Sequence, residues 1–374
     1  MKKYHITYLA CTAALIGTGL GATPATAAHS ALVVRPGESI QKAVNAARPG
    51  DTVLVAPGTY RESVTIRTPW VTLRGMGRGT VIEPSAKKAA SKKDAAEKGA
   101  PKEGGTKKVP KSCAEGGNGI CVFGTKKRDV EGVTVANLTV TGFSKAGVFG
   151  MGTDGMTVSG VYAVKNGVWG IAQERSVRGV LRGNYAREND DAGLFLANTI
   201  TEEAGALDTK GAVVEGNWLE NNRIGFIARR VRNLTVANNY VTGNCGGVFV
   251  VGDENKPQAG ALTVRGNRIT KNNKACPKTA RLPVLQGAGV VLTGAEDTLV
   301  TRNLITDNAG KSPFAGGVVL FKSMVGAVNT RNRISYNTLR NNSPADLVNT
   351  ETAKRNGNTF TRNACRVSKP SGMC

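Results

Sequence analysis

The stretch LTVRGNRITKN, residues 262–272, decides the fold. It reads as a short apolar strand, a Gly-Asn corner, a second short strand and another asparagine. A variable loop follows, then glycine and a third strand, GVVL at 289–292. From about residue 133 this unit of roughly 22 residues recurs to the end of the chain, which is the mark of a stacked repeat architecture. The corner position falls on Leu138, Val161, Asn184, Asn217, Asn239, Asn267, Asn303, Asn337 and Asn358. Five residues later stand Phe143, Asn166, Asn189, Asn222, Asn244, Asn272, Asn308, Asn342 and Asn363, so seven successive units carry N-x4-N. The spacing between units varies from 21 to 36 residues, as for a constant coil with loops of different length.

Three short strands per turn with sharp corners make a parallel solenoid, each coil resting on its neighbours. A tight corner needs a residue that tolerates left-handed backbone, which asparagine does better than most. Stacked asparagines can also hydrogen-bond along the column and satisfy amides that corners would leave buried. The expected ladder is Asn184, Asn217, Asn239, Asn267, Asn303, Asn337 and Asn358.

Composition agrees with a turn-rich fold. The 374 residues include 47 Gly and 29 Asn, 28 of the asparagines after residue 110, and both types are poor helix formers. Residues 1–27 read as a secretory signal, with Lys2 and Lys3, an apolar stretch from Ile6 to Leu20 and the small-residue site Ala25-Thr26-Ala27. No later run reaches the length of a spanning helix. An exported, extracellular protein is expected. The six cysteines beyond the signal suggest disulfides in that setting, with nearest-neighbour pairing Cys113–Cys121, Cys245–Cys276 and Cys365–Cys374 as the expectation.

The net charge is +23, of which +6 lies in the Lys-, Ala- and Gly-rich stretch 85–111. A field of that sign attracts acidic polymers: uronate polysaccharide, teichoic acid, nucleic acid or anionic lipid. Nothing in the pattern points to sequence-specific nucleic-acid recognition. The expected organisation is a signal at 1–27, an N-terminal cap and first coils at 28–84, a flexible insertion at 85–117, solenoid coils at 118–363 and a cysteine-bearing tail at 364–374. The entry segment PGESIQKAVNAARPGDTVLVAPGTYRESVTI, 36–66, supplies the cap. Ser39 is the helix N-cap, with Ile40, Val44 and Ala47 on one face.

The entry segment and the N-x4-N coils resemble right-handed parallel β-helix proteins of the pectin-lyase-like superfamily, over residues 32–84 and 118–374. More narrowly they resemble secreted β-helix repeat proteins of actinobacteria. The resemblance implies an all-β, single-stranded right-handed parallel β-helix with a short N-terminal capping helix. That fold hosts lyases, hydrolases, epimerases and binders, so activity must come from particular residues.

Beyond the signal the chain carries one histidine, His29, so histidine-dependent epimerase or copper chemistry is not expected. Asp190-Asp191 resembles the paired-acid position of polygalacturonases. The flanking coils carry Lys165-Asn166-Gly167 and Arg223-Ile224-Gly225 where that family's other two motifs would stand. A polysaccharide lyase would use Asp190 and Asp191 on Ca²⁺, with Arg187 or Arg223 as base. No cofactor is otherwise implied.

The third strands (GVFG, GVWGIA, GLFLA, GFIAR, GVFVV, GVVLT, GVVLF) are apolar at both parities, with Arg229 nearly the only charge. A sheet apolar on both faces is covered on both, by its own loops 197–211 and 273–287 or by a partner. A second stripe follows the corner: Tyr162, Tyr185, Trp218, Tyr240 and then Arg268, with Arg187 and Glu220 two residues along their strands. Aromatic faces flanked by Arg and Glu suit sugar rings and hydroxyls, and also suit a structural stack. Three functions are therefore expected in turn: binding of a polysaccharide or acidic cell-envelope polymer, a Ca-dependent uronate lyase, and an envelope structural or adhesion protein using the apolar sheet. Oligomeric state is not encoded in any motif.

Overall fold

The computed structural model describes residues 30–85, 112–125, 127–200, 204–279, 282–353 and 355–374. The segment read as a signal and most of the Lys-rich insertion lie outside them. Each coil carries three strands; in one coil these are Val180–Arg182, Tyr185–Arg187 and Ala192–Ala197. Equivalent strands stack into three sheets of 12, 10 and 11 strands, here called first, second and third. Pairing is parallel and in strict register, for example Tyr162 to Tyr185 to Trp218 to Tyr240.

Three-residue strands explain the first two sheets. Their central side chain points in and the flanking two point out. Leu181, Ala186 and Leu219 are thus wholly buried between partly exposed neighbours. The third sheet adds Val148, Ile171, Leu194, Phe226, Val248 and Val290 to the same core. In the coil GVWGIA the inward residue is Ile171, paired with Val148 and Leu194, rather than Val168.

Two asparagine columns line the corners. In the first, Asn184 Nδ2 donates to Asn217 Oδ1 at 3.0 Å, and the pattern continues through Asn239, Asn267, Asn303 and Asn337. Each carboxamide oxygen also accepts the backbone N–H of the preceding asparagine. Each Nδ2 donates in addition to a carbonyl, as Asn217 does to Leu181 at 2.9 Å. The second column runs Asn166, Asn189, Asn222, Asn244, Asn272, Asn308 and Asn342, and ends on the carboxylate of Asp346.

Two corrections concern this ladder. Asn337 donates to Asn363, whereas Asn358 belongs to a separate column with Asn332. In the last coil Asn358 follows Asn332 and Asn363 follows Asn337, so its N-x4-N pair is displaced by one corner. Second, the ladder asparagines are not the left-handed residues. The residue before each takes that role: Gly183, Gly216, Asn238 and Gly266 at φ 56 to 63°, then Arg302, Tyr336 and Arg362 at 53 to 57°. Division of labour explains it, because a side chain aimed inward for the ladder needs an extended backbone beside a residue that makes the bend.

The helix Ile40–Ala46 covers the N-terminal end and buries Ile40 and Val44. Ser39 Oγ accepts from Lys42 N, and Glu62 from the following turn accepts from Ile40 N at 2.8 Å, Gln41 N at 3.1 Å and Ser39 Oγ at 3.0 Å. A carboxylate on the first free N–H groups of a helix also meets its positive end. Glu62→Ala is expected to lower stability by about 2 kcal/mol in urea unfolding, through two or three lost charge-assisted bonds. A change below about 0.5 kcal/mol would leave helix capping to Ser39 alone.

Disulfides join Cys113–Cys121, Cys245–Cys276 and Cys365–Cys374. Residues 112–117, placed in the insertion from sequence, pack on the body through Cys113. The tail is likewise structured, with Ser368–Lys369 adding the last strand of the third sheet.

Candidate functional site

The outer face of the third sheet is buried. Phe149, Trp169, Phe195, Ile227, Phe249 and Val291 form a second apolar cluster outside the coil, covered by Cys113, Ile200, Leu285 and Phe314 from the loops. Trp169 stacks on Phe195 at 4.5 Å and 4°. The alternative of adhesion through an open apolar sheet is therefore corrected: the chain's own loops occupy that surface, because two to four aromatic rings in a row would otherwise stand in water.

Charge on this face was also underestimated. Glu174 occupies the same register column as Arg229 and is 2 % exposed beneath residues 198–200. Burial raises its carboxyl to about 7, opposed by the Ile200 N–H and by Arg229, Lys145 and Arg230. Arg230 is equally buried, pairs with Asp253 at 3.4 Å and donates to Thr199 O. No sequence signal marks Glu174, since it ends a strand without a motif.

The four residues considered for lyase chemistry do not form one acid–base group. Asp191 Oδ2 accepts from Trp169 Nε1 at 3.1 Å, at the edge of the buried face. Asp190 is exposed on the adjoining corner. Arg187 lies on the second sheet and pairs with Glu188 at 2.7 Å; its contacts with Tyr185 and Glu188 hold it above the ordinary arginine value. Arg223 is buried, with Nε and Nη2 lacking hydrogen-bond partners among the described residues, and burial lowers its affinity for its proton against the pull of Asp191. Among the described residues no group of three or more His, Cys, Asp or Glu stands within reach of one ion.

On the second sheet the geometry is different. Tyr162, Tyr185, Trp218, Tyr240 and Arg268 occupy one register position on five successive coils, facing outward. Ring centroids are 5.5, 6.1 and 4.6 Å apart along the four aromatics. Trp218 is 46 % exposed at the centre. Glu220 accepts from Tyr185 Oη at 2.7 Å, and burial together with Glu220 raises the Tyr185 phenol above its usual value. Arg78 lies over Tyr162 at 4.0 Å and Arg268 over Tyr240 at 5.5 Å, a bracket in which only Arg268 had a place in the sequence stripe. Arg78 was missed because it reaches the column from the turn between the strands Thr72–Gly75 and Thr80–Ile82, before the insertion.

Comparison with known proteins follows from this geometry. A model of the right handed beta helix region matches residues 111–260. This chain is a right-handed parallel β-helix. The fold is of the pectin-lyase-like type, as the sequence resemblance implied. A second model, described as a periplasmic copper-binding protein (NosD), matches residues 205–366. That stretch holds no histidine, and Cys245, Cys276 and Cys365 are all in disulfides, so neither imidazole nor thiolate is offered to copper. The residues do not fit that metal.

Among solved structures, the A-module of the Azotobacter vinelandii mannuronan C-5 epimerase AlgE4 aligns at a TM-score of 0.54 and 19 % identity, over 87 % of this chain and 89 % of that one. The Dettilon tailspike protein aligns at 0.50 and 14 %, over 90 % and 60 %. The DFA-IIIase of Arthrobacter chlorophenolicus A6 aligns at 0.50 and 13 %, over 84 % and 78 %. These likenesses establish the fold. No curated protein matches the chain by sequence. No helix among the described residues is long and apolar enough to cross a membrane.

Proposed function

We propose that this protein is an exported polysaccharide-binding β-helix that seats its ligand on the outward aromatic column of the second sheet. One observation carries it: four rings stand in register on four successive coils, with Trp218 about half exposed at their centre. A purely structural stack would gain more by burying its largest ring. Glu220 and Arg187 beside the rings supply an acceptor and a donor for sugar hydroxyls. The basic charge favours an acidic polymer, and the likeness to a mannuronan C-5 epimerase module fits an association of this fold with polysaccharide. Three disulfides suit an oxidising compartment.

Trp218→Ala is expected to weaken polysaccharide binding about tenfold or more, by analogy with base–aromatic stacking losses of about 1–3 kcal/mol. Calorimetric titration against the best ligand from a glycan array measures it, with the ultraviolet absorbance of unsaturated sugar followed in parallel. Unchanged affinity in Trp218→Ala and Tyr185→Ala rejects the column as the binding surface. Unsaturated product that disappears on adding chelator would favour a calcium lyase built on Asp190 and Asp191 instead.

A further inference from the structure

Three exposed side chains near the C-terminal end repeat the Arg–aromatic arrangement of the column, at a different place. Tyr336 is 48 % exposed, and Arg302 and Arg362, from the coils before and after it, lie against its ring at 6.0 and 5.5 Å. Arg362 also donates to the Tyr336 hydroxyl. Among the described residues no carboxylate stands within 4.0 Å of either guanidinium. Two like charges share one ring and one short stretch of surface, which costs energy until an anion joins them.

The backbone adds a second cost. These three residues sit at the corner that Asn137, Gly160, Gly183, Gly216, Asn238 and Gly266 occupy in earlier coils, all at positive φ. Arg302, Tyr336 and Arg362 adopt φ of 53, 57 and 53° there, a conformation worth roughly 1–2 kcal/mol per residue against a side chain. Large side chains are thus held at three successive corners where glycine would relax the chain.

Position links the cluster to the aromatic column. Leu304 takes the register place after Arg268, and Arg302 lies two residues before it. The cluster therefore begins one coil beyond the column, around the corner of the same edge. Six coil steps separate the register positions of Tyr162 and Thr338, about 30 Å at the strand spacing.

We infer that Arg302, Tyr336 and Arg362 form a second binding site, which takes the carboxylates and ring faces of an anionic polysaccharide whose other segment lies on the aromatic column; this rests on the binding reading of that column. Arg362 gives one N–H to the Tyr336 hydroxyl, and the remaining N–H groups of the two guanidiniums suit a carboxylate in the forked geometry that lysine lacks. Two sites on one rigid rod bind a long chain with an effective-concentration gain that a short chain cannot share.

The test uses the full chain with oligogalacturonates of increasing length, and with carboxyl-reduced oligomers of the same lengths. Affinity for the charged series rises about tenfold or more once the oligomer reaches about 30 Å, and high salt removes the gain. Arg302→Gln/Arg362→Gln and, separately, Tyr336→Ala abolish that step and leave the affinity for short oligomers unchanged. Both variants alter exposed side chains, and their unfolding midpoints report any loss of folding; if Tyr336→Ala fails to fold, the arginine pair decides. A length step that survives the arginine pair, or reduced oligomers that bind as well as charged ones, overturns the second site. Trp218→Ala separates the two claims. If it alone destroys binding, the column stands and the second site falls; if no variant has an effect, both fall. A single-stranded oligonucleotide of equal length that binds more tightly, and loses affinity in the same variants, overturns the assignment to polysaccharide.

Discussion

Asn217→Leu is expected to destabilise the protein by about 4 kcal/mol, the largest effect of any single change considered, since four buried polar groups lose a partner at a cost of roughly 1–3 kcal/mol for each left unpaired. Asn217 Oδ1 accepts the Asn184 N–H at 2.9 Å and its Nδ2 at 3.0 Å, and Asn217 Nδ2 donates to Leu181 O at 2.9 Å. Leucine has nearly the shape of asparagine but neither function, so it fills the space and shuts out a rescuing water. The Asn217 backbone N–H keeps its bond to Asn239 Oδ1, which loses only the second donor it has from the Asn217 carboxamide at 2.9 Å, so most of the damage falls on the coil before it. Asn363→Leu, at the partly exposed end of the column, should cost markedly less, because water can replace what it loses. Urea unfolding of both variants measures the contrast. Equal losses, or a loss at Asn217 below about 1 kcal/mol, would show that the columns follow from the coil rather than hold it.

The second large effect depends on pH. Glu174 is held near pKa 7 by burial, above the ordinary glutamate value of 4.5. Below the ordinary value both folded and unfolded chains keep the proton, and the contribution to stability is fully present. As pH rises from there, the unfolded chain releases the proton while the folded chain retains it, so stability falls. Above about pH 7 both have released it and the loss is complete. The linkage is worth about 3 kcal/mol across the window. Glu174→Gln cannot ionise, so its stability relative to the natural protein should rise by about that amount between pH 5 and pH 8. Lys145, Arg229 and Arg230 are the cations that limit the effect. Parallel pH profiles for the two proteins would mean that these cations compensate the charge in full.

Much of the fold could be read from residues 133–374 because a solenoid repeats its own constraints. The asparagine spacing marks corners, and the three-residue strands between them leave little choice of which side chain points inward. What the sequence hid was the exchange of roles within each corner. Asn184 and Gly183 are neighbours, and only coordinates show that the glycine bends while the asparagine bonds. The last coil misled for a related reason: Asn358 and Asn363 keep the right separation but belong to two different columns.

The site was less legible than the fold. Tyr162, Tyr185, Trp218 and Tyr240 could be aligned from the repeat, since each follows its corner by one residue. Arg78 could not, because it lies 84 residues from the ring it covers, across the insertion. Glu174 and Arg229 share a column through Ala197, a register that the unequal loop lengths hide in the sequence. Asp190 and Asp191 show the opposite failure. Adjacent acids suggest joint action, yet at this corner Asp190 is exposed while Asp191 is half-buried and engaged by the Trp169 indole.

Asp346 sets a limit on growth of this rod. Every interior asparagine of its column both receives and gives, so one coil is interchangeable with the next, and duplication or deletion of a whole turn between Asn222 and Asn308 preserves the chemistry at each seam. A carboxylate can only receive: Asp346 takes the Asn342 carboxamide on one oxygen and the Arg366 N–H on the other. It offers no N–H onward, so the column stops there, and the one turn that follows is held by its own N–H donated back to Asp346 and by the pairing of Ser368–Lys369 on Leu347–Val348. Changes in the number of turns are thereby directed to the stretch between Asn222 and Asn308, where both partners of every bond are supplied by asparagine.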